Sequence, residues 1–175
     1  MAFLPASASA VTITISALND EATTLDVTMT GTVMVSTSTS SLAWLGIGDY
    51  VTADGPNDDW FSITEGITAN AFPVTELYLD WDSGADDFQI AGSFTADTTY
   101  SFSGSGTINL LEEGSFNFGH LIKGTYDLDL GYAVPTMGTG HSLVIQYSSV
   151  PDTGSTVALL GAGVVVLAVA RRRLR

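Results

Sequence analysis

Apolar side chains recur at every second position along most of this chain, and that period decides its fold class. Val11, Ile13 and Ile15 share one face with threonines between them, and Leu25, Val27, Met29, Gly31, Val33 and Val35 repeat the pattern over a longer span. The alternation returns in Leu77, Leu79 and Trp81, in Phe88, Ile90, Gly92 and Phe94, and in the run from Tyr100 to Leu110. It continues through Phe116, Phe118, His120 and Ile122, then Tyr126, Leu128, Leu130 and Tyr132, and ends in Leu143, Ile145 and Tyr147. A period of two places successive side chains on opposite faces of a strand, one face buried and one wet. No 3.6-residue stripe competes with it over this stretch. Thr, Ser, Val and aromatic residues fill the runs, while Gly, Asp and Asn gather between them. Roughly nine or ten short strands with closely spaced turns predict an all-β body over residues 11–149. The expected architecture is an antiparallel β-sandwich, jelly-roll-like in its connections, with a barrel as the second choice.

The last 26 residues break the pattern in three steps. Val150-Pro151-Asp152-Thr153-Gly154 comes first: proline fixes its own backbone and pushes Val150 towards an extended conformation, and Gly154 leaves the peptide unobstructed, so the strip suits a protease's grip. An uncharged run of 14 residues, Val157 to Ala170, follows, with Val157, Leu159, Leu160, Val164, Val165, Val166, Leu167 and Val169 as its bulk. As a helix it would reach about 21 Å at about 1.5 Å per residue, against a hydrocarbon core of about 30 Å. It is a short transmembrane segment. Arg171, Arg172, Arg173 and Arg175 close the chain, and cations beside a membrane segment stay on the cytoplasmic side, which puts everything before Val150 outside.

This order of strip, apolar run and arginines closely resembles the PEP-CTERM class of bacterial sorting signals, and within it the VPDSG-CTERM variety. Thr153 stands where that motif usually has Ser, which keeps the hydroxyl and adds a methyl. The resemblance implies processing by an exosortase, a membrane-embedded thiol transpeptidase that cuts near the motif and transfers the new carboxyl end to an envelope acceptor. The nucleophile would belong to that enzyme. It implies an exported protein of the cell envelope or extracellular matrix, transiently membrane-anchored through the tail, and an association with exopolysaccharide and biofilm. A plain tail anchor is the competing reading of the same residues.

Charge and cysteine content narrow the partners. The formal net charge is −14, and four of the five cations are the terminal arginines. All 19 acids except Asp152 lie ahead of the tail and face a single cation there, Lys123, leaving that part at −17. Such a surface repels phosphate backbones and excludes a nucleic-acid role. The absence of cysteine excludes disulfides, thiolate metal sites and a cysteine nucleophile. At the other end, Ala8-Ser9-Ala10 has the small-x-small form of a signal-peptidase site, with Ala8 and Ala10 as its small residues. Residues 1–10 therefore read as the remnant of a signal peptide or as a disordered N-terminus.

Chemistry within the body has few candidates. Asp80, Asp82, Asp86 and Asp87 surround Gly84 and form half of a calcium loop, to which Asp54, Asp58 and Asp59 would add ligands if the two loops meet. The twelfth position, where an EF-hand needs a bidentate Glu, is Ala91, and Asp, Asn and Gly are also what turns are made of. Trp44, Trp60, Trp81 and the outward-alternating Tyr78 are candidates for a carbohydrate platform, although aromatics in a small sandwich are usually core. His120 and His141 stand in no catalytic motif, and the spacing of Glu112 with Glu113 or of Asp127 with Asp129 does not fix the separation that glycoside hydrolysis needs. The expectation is a structural or adhesive, non-enzymatic body, with a calcium- or carbohydrate-binding module as the alternative.

Overall fold

The computed structural model describes residues 10–64, 66–134 and 138–149. They form thirteen strands and one short 3-10 turn. In chain order the strands are β1 (Thr12–Ala17), β2 (Thr24–Val35), β3 (Thr39–Leu45), β4 (Asp59–Ser62), β5 (Thr68–Ala69), β6 (Phe72–Pro73) and β7 (Glu76–Asp80). They continue with β8 (Asp87–Phe94), β9 (Thr98–Ser103), β10 (Ser105–Asn109), β11 (Gly124–Asp127), β12 (Tyr132–Val134) and β13 (Ser142–Tyr147). The protein is nearly all β, as the alternation predicts.

The strands form two sheets. The larger runs β11-β13-β1-β2-β9-β5-β6, with β10 pairing beside β2, and the smaller runs β12-β3-β8-β7-β4. Apolar residues from both, among them Ile13, Ile15, Val27 and Ile145 from one and Trp44, Phe61, Leu79 and Phe88 from the other, belong to a single buried cluster. On β1 the predicted faces hold: Ile13 and Ile15 are fully buried and the intervening Thr14 and Ser16 face outward. Burial of each such aliphatic side chain stabilises the fold by about 1.5–3 kcal/mol.

Three departures from the sequence expectation have physical causes. The larger sheet is mixed rather than purely antiparallel, because β1 and β13 pair in parallel from Thr12↔Ser142 to Ala17↔Tyr147. Tyr100 to Leu110 is two strands, since Gly104 at φ 111° turns the chain between β9 and β10, and a Cβ there would lie 1.9 Å from the Gly66 carbonyl oxygen. β10 then pairs with the first half of β2, Thr24 to Thr28, and β9 with the second, Gly31 to Val35. Phe116 to Ile122 is not a strand: Asn117 caps the 3-10 turn Phe118–His120, its side chain accepting from the Gly119 N–H while its own N–H donates to His120 Nδ1. Among the described residues no helix is long and apolar enough to cross a membrane, and the expected C-terminal helix lies outside them.

Candidate functional site

Strand direction fixes where the tail begins. β13 runs parallel to β1 and antiparallel to β11, and β2 and β10 follow antiparallel in turn, so one end of this sheet gathers the end of β1, the starts of β2 and β11, and the ends of β10 and β13. The chain leaves the body at that end. Its last backbone bond there runs from the Ser148 N–H to the Ala17 carbonyl at 2.8 Å, one residue short of the Val150 strip.

The one cation of the body is spent at this exit. Lys123 Nζ pairs with Asp20, donates to the Phe118 carbonyl at 3.1 Å, and sits 4.6 Å from the Phe118 ring centre and 5.4 Å from that of Tyr147. Tyr147 Oη donates to Asp20 Oδ1 at 2.9 Å. The Lys123 and Tyr147 hydrogen bonds hold the Asp20 carboxyl below its ordinary value. The final strand residue before the tail is thus held through ring, hydroxyl and backbone at once. Neither Lys123 nor Asp20 stands in a motif, and only the isolation of Lys123 among 18 acids could have drawn attention to it.

The four candidate calcium ligands lie around the β7–β8 loop, where each already accepts from at least one backbone N–H. Asp86 is fully buried and accepts from the N–H groups of Tyr50 (2.7 Å), Val51 (2.5 Å) and Asp82 (3.2 Å), pinning the 46–51 loop to the 82–86 loop. Burial raises its carboxyl above the ordinary value, opposed by those same N–H groups. Asp87 Oδ1 accepts from the Gly46 N–H, Asp82 Oδ1 from the Gly84 N–H, and Asp80 Oδ1 from the Asp58 N–H. Asp80 is likewise raised, first by burial and then by the charges of Asp58 and Asp87. The two acidic loops do meet, with Trp81 N–H donating to the Pro56 carbonyl and Asn57 Nδ2 to the Trp81 carbonyl. They meet through hydrogen bonds, and among the described residues no three His, Asp or Glu side chains converge to hold a metal.

The aromatic candidates are dispersed. Trp44 is fully buried and tilted against Phe88, and Tyr78, expected to face outward, is only 7% exposed, with its hydroxyl donating to Asp58. Trp60 packs on Tyr78 with ring centres 5.0 Å apart, and Trp81 leans on the core. The two histidines serve the fold: His120 closes the 3-10 cap, and His141 is buried with Nδ1 accepting from the Val11 N–H at 3.0 Å. Asp129 Oδ2 accepts from the His141 N–H, and Glu112 Oε2 accepts from the Ser62 N–H.

A feature that the alternation carried without being read for it is the wet face of the larger sheet. Thr14, Ser16, Asp26, Thr28, Thr107 and Gln146 line a cavity of about 690 Å³, and Ser148 and Ser149 bring its rim to the tail exit. It offers hydroxyls, one amide and one carboxylate, and no aromatic wall.

Val150 to Gly154, the apolar residues Val157 to Val169, the four arginines and Ala8 lie outside the described residues; Ala10 is described and exposed. No curated protein and no solved structure matches the chain. The family described as VPDSG-CTERM motif matches residues 149–174, beginning at the residue after the last backbone bond to the body. The chain therefore carries at its C-terminus a VPDSG-CTERM sorting signal, the mark of an exported protein recognised by an exosortase at the membrane.

Proposed function

We propose that this is an exported structural or adhesive protein whose β body is a jelly-roll-like sandwich, delivered to the cell envelope and held transiently by an apolar tail helix that an exosortase removes. The observation that carries the reading is the abutment of body and signal: Ser148 is bonded to Ala17, and the signal match starts at residue 149. A cut within Val150 to Gly154 would fall after the last strand, so it would release or transfer the body intact. A non-enzymatic role for the body, and the matrix polymer exopolysaccharide as its surrounding, are parts of the same proposal. Mass spectrometry of the C-terminal peptide of native protein, with and without the exosortase, tests the reading. A peptide ending near Val150 to Gly154 only when the enzyme is present is expected; an intact Arg175 in both backgrounds would reduce the tail to a plain anchor.

The hydroxyl-lined cavity favours one second reading, a carbohydrate-binding module on the same tail. Saturable heat on titration with a neutral polysaccharide, lost on Thr28→Val together with Thr107→Val, would support it. The prior commitment of the aspartates to backbone N–H groups gives a calcium module no comparable support.

A further inference from the structure

The end of the body from which the tail leaves is ringed by exposed apolar side chains. Leu18, in the turn after β1, is 66% exposed; Leu111, just past β10, is 53%; Tyr147, closing β13, is 50%; and Ile122, just before β11, is 40%. Strand direction alone places all four at one end of the larger sheet, around Ser148. Leu130, the most exposed large apolar side chain among the described residues at 81%, follows β11 and so stands at the opposite end, roughly 20 Å away by the length of β1.

The chain between body and apolar segment is short. Residues 149–156 separate Ser148 from Val157, and eight residues extend at most about 28 Å. While the tail occupies a bilayer, this tether keeps the exit end within about 28 Å of it, so that end meets the lipid surface at a high local concentration. Leucine, isoleucine and tyrosine side chains gain from the boundary between headgroups and hydrocarbon, and tyrosine is a residue of that boundary. We infer that Leu18, Leu111, Ile122 and Tyr147 form a membrane-facing rim that seats the body end-on in the headgroup region of the bilayer holding its tail. Asp20, Glu21, Glu112 and Glu113 share this end, and Lys123 offsets only Asp20. The surface therefore suits zwitterionic headgroups and not strongly anionic ones. The inference rests on the tail inserting in the membrane, as proposed above.

The cysteine-free chain allows single spin labels to be placed without background. Full-length protein carrying Leu18→Cys, Leu111→Cys, Leu130→Cys or Val164→Cys would be reconstituted in phosphatidylcholine vesicles, and collision with oxygen compared with collision with a water-soluble nickel chelate. Lipid-like ratios are expected at 164, 18 and 111, with a several-fold lower, water-like ratio at 130. A lipid-like ratio at 164 with 18 and 111 no different from 130 would overturn the rim and leave the tail reading standing. Water-like ratios at all four positions would overturn both. Spin–spin broadening at 18 and 111, dependent on protein density, would assign the rim to a second copy of the chain and overturn its assignment to lipid.

Discussion

Ala71 holds a backbone angle that alanine seldom adopts. Asn70 and Ala71, at φ 50° and 71°, are the two central residues of the β5–β6 hairpin, with Ala69 facing Phe72 across it. Asparagine tolerates that region, whereas alanine pays about 1–2 kcal/mol for it. Ala71→Gly removes that strain but loosens the unfolded chain, so a net gain of roughly 0.5–1 kcal/mol is expected in urea unfolding. Asp86 is the opposite case, a residue whose loss leaves three N–H donors without their acceptor, two of them on Tyr50 and Val51, both buried. Asp86→Ala is expected to cost about 2–4 kcal/mol, read as a lower urea midpoint at unchanged slope. Asp80 offers a pH test. Its carboxyl lies above the ordinary 3.8 in the folded state, so the folded form holds the proton more tightly, and the stability that this confers at low pH is lost as pH rises from about 3.8 through the folded value. At neutral pH the ionised group is a burden. Asp80→Asn keeps an acceptor for the Asp58 N–H and should raise the melting temperature at pH 7, with the advantage shrinking as pH falls through the Asp80 titration. Parallel melting curves for the two proteins across that range would count against it.

Elements show which parts of the fold a period can reveal. β1, β2, β8 and β13 are legible because each buries one face, as in the fully alternating burial of Thr12 to Ala17. β3 is not, because Leu42, Ala43 and Trp44 are buried in succession and erase the alternation. Phe116 to Ile122 alternates in sequence yet is curled by the Asn117 cap, since the period does not record a side chain that competes for backbone N–H groups. Tyr78 is buried with Leu77 and Leu79 because its hydroxyl finds Asp58, a partner on the neighbouring β4 side of the sheet. The sorting strip was readable because it is contiguous. The Lys123 clamp and the Asp86 bonds were not, because each joins segments that only the sheet order brings together. The parallel pairing of β1 with β13 escapes for the same reason, as it joins the first strand to the last. The clamp makes its own prediction at this scale. Lys123→Ala removes the ion pair with Asp20, the bond to the Phe118 carbonyl and both ring contacts. Amide protons at Tyr147 and Ser148 should then exchange faster with deuterium, while those of Ile13 and Ile15 in β1 stay protected. Equal acceleration everywhere would mean that the lysine supports the whole fold and not the last strand.

For the whole molecule the decisive relation is between a sheet that ends and a signal that begins. β13 is flanked by β11 on one side and β1 on the other, so the last strand is an interior strand and its loss would open the sheet. Had the signal overlapped it, cutting the tail would have unfolded the body. It does not: β13 ends at Tyr147, the final backbone bond to β1 among the described residues is made by Ser148, and the signal match occupies 149–174. A chain ending at Ser149 should therefore melt within about 2 °C of the full-length protein in a mild detergent that keeps the tail soluble, since a loss of about 1 kcal/mol would already move the midpoint by roughly 2–4 °C at this size. Truncation two residues earlier, after Tyr147, removes the Ser148 bond to Ala17 and should lower the midpoint measurably. A drop of many degrees at Ser149 itself would mean that residues of the signal pack on the body, and that processing would then change the fold that it delivers.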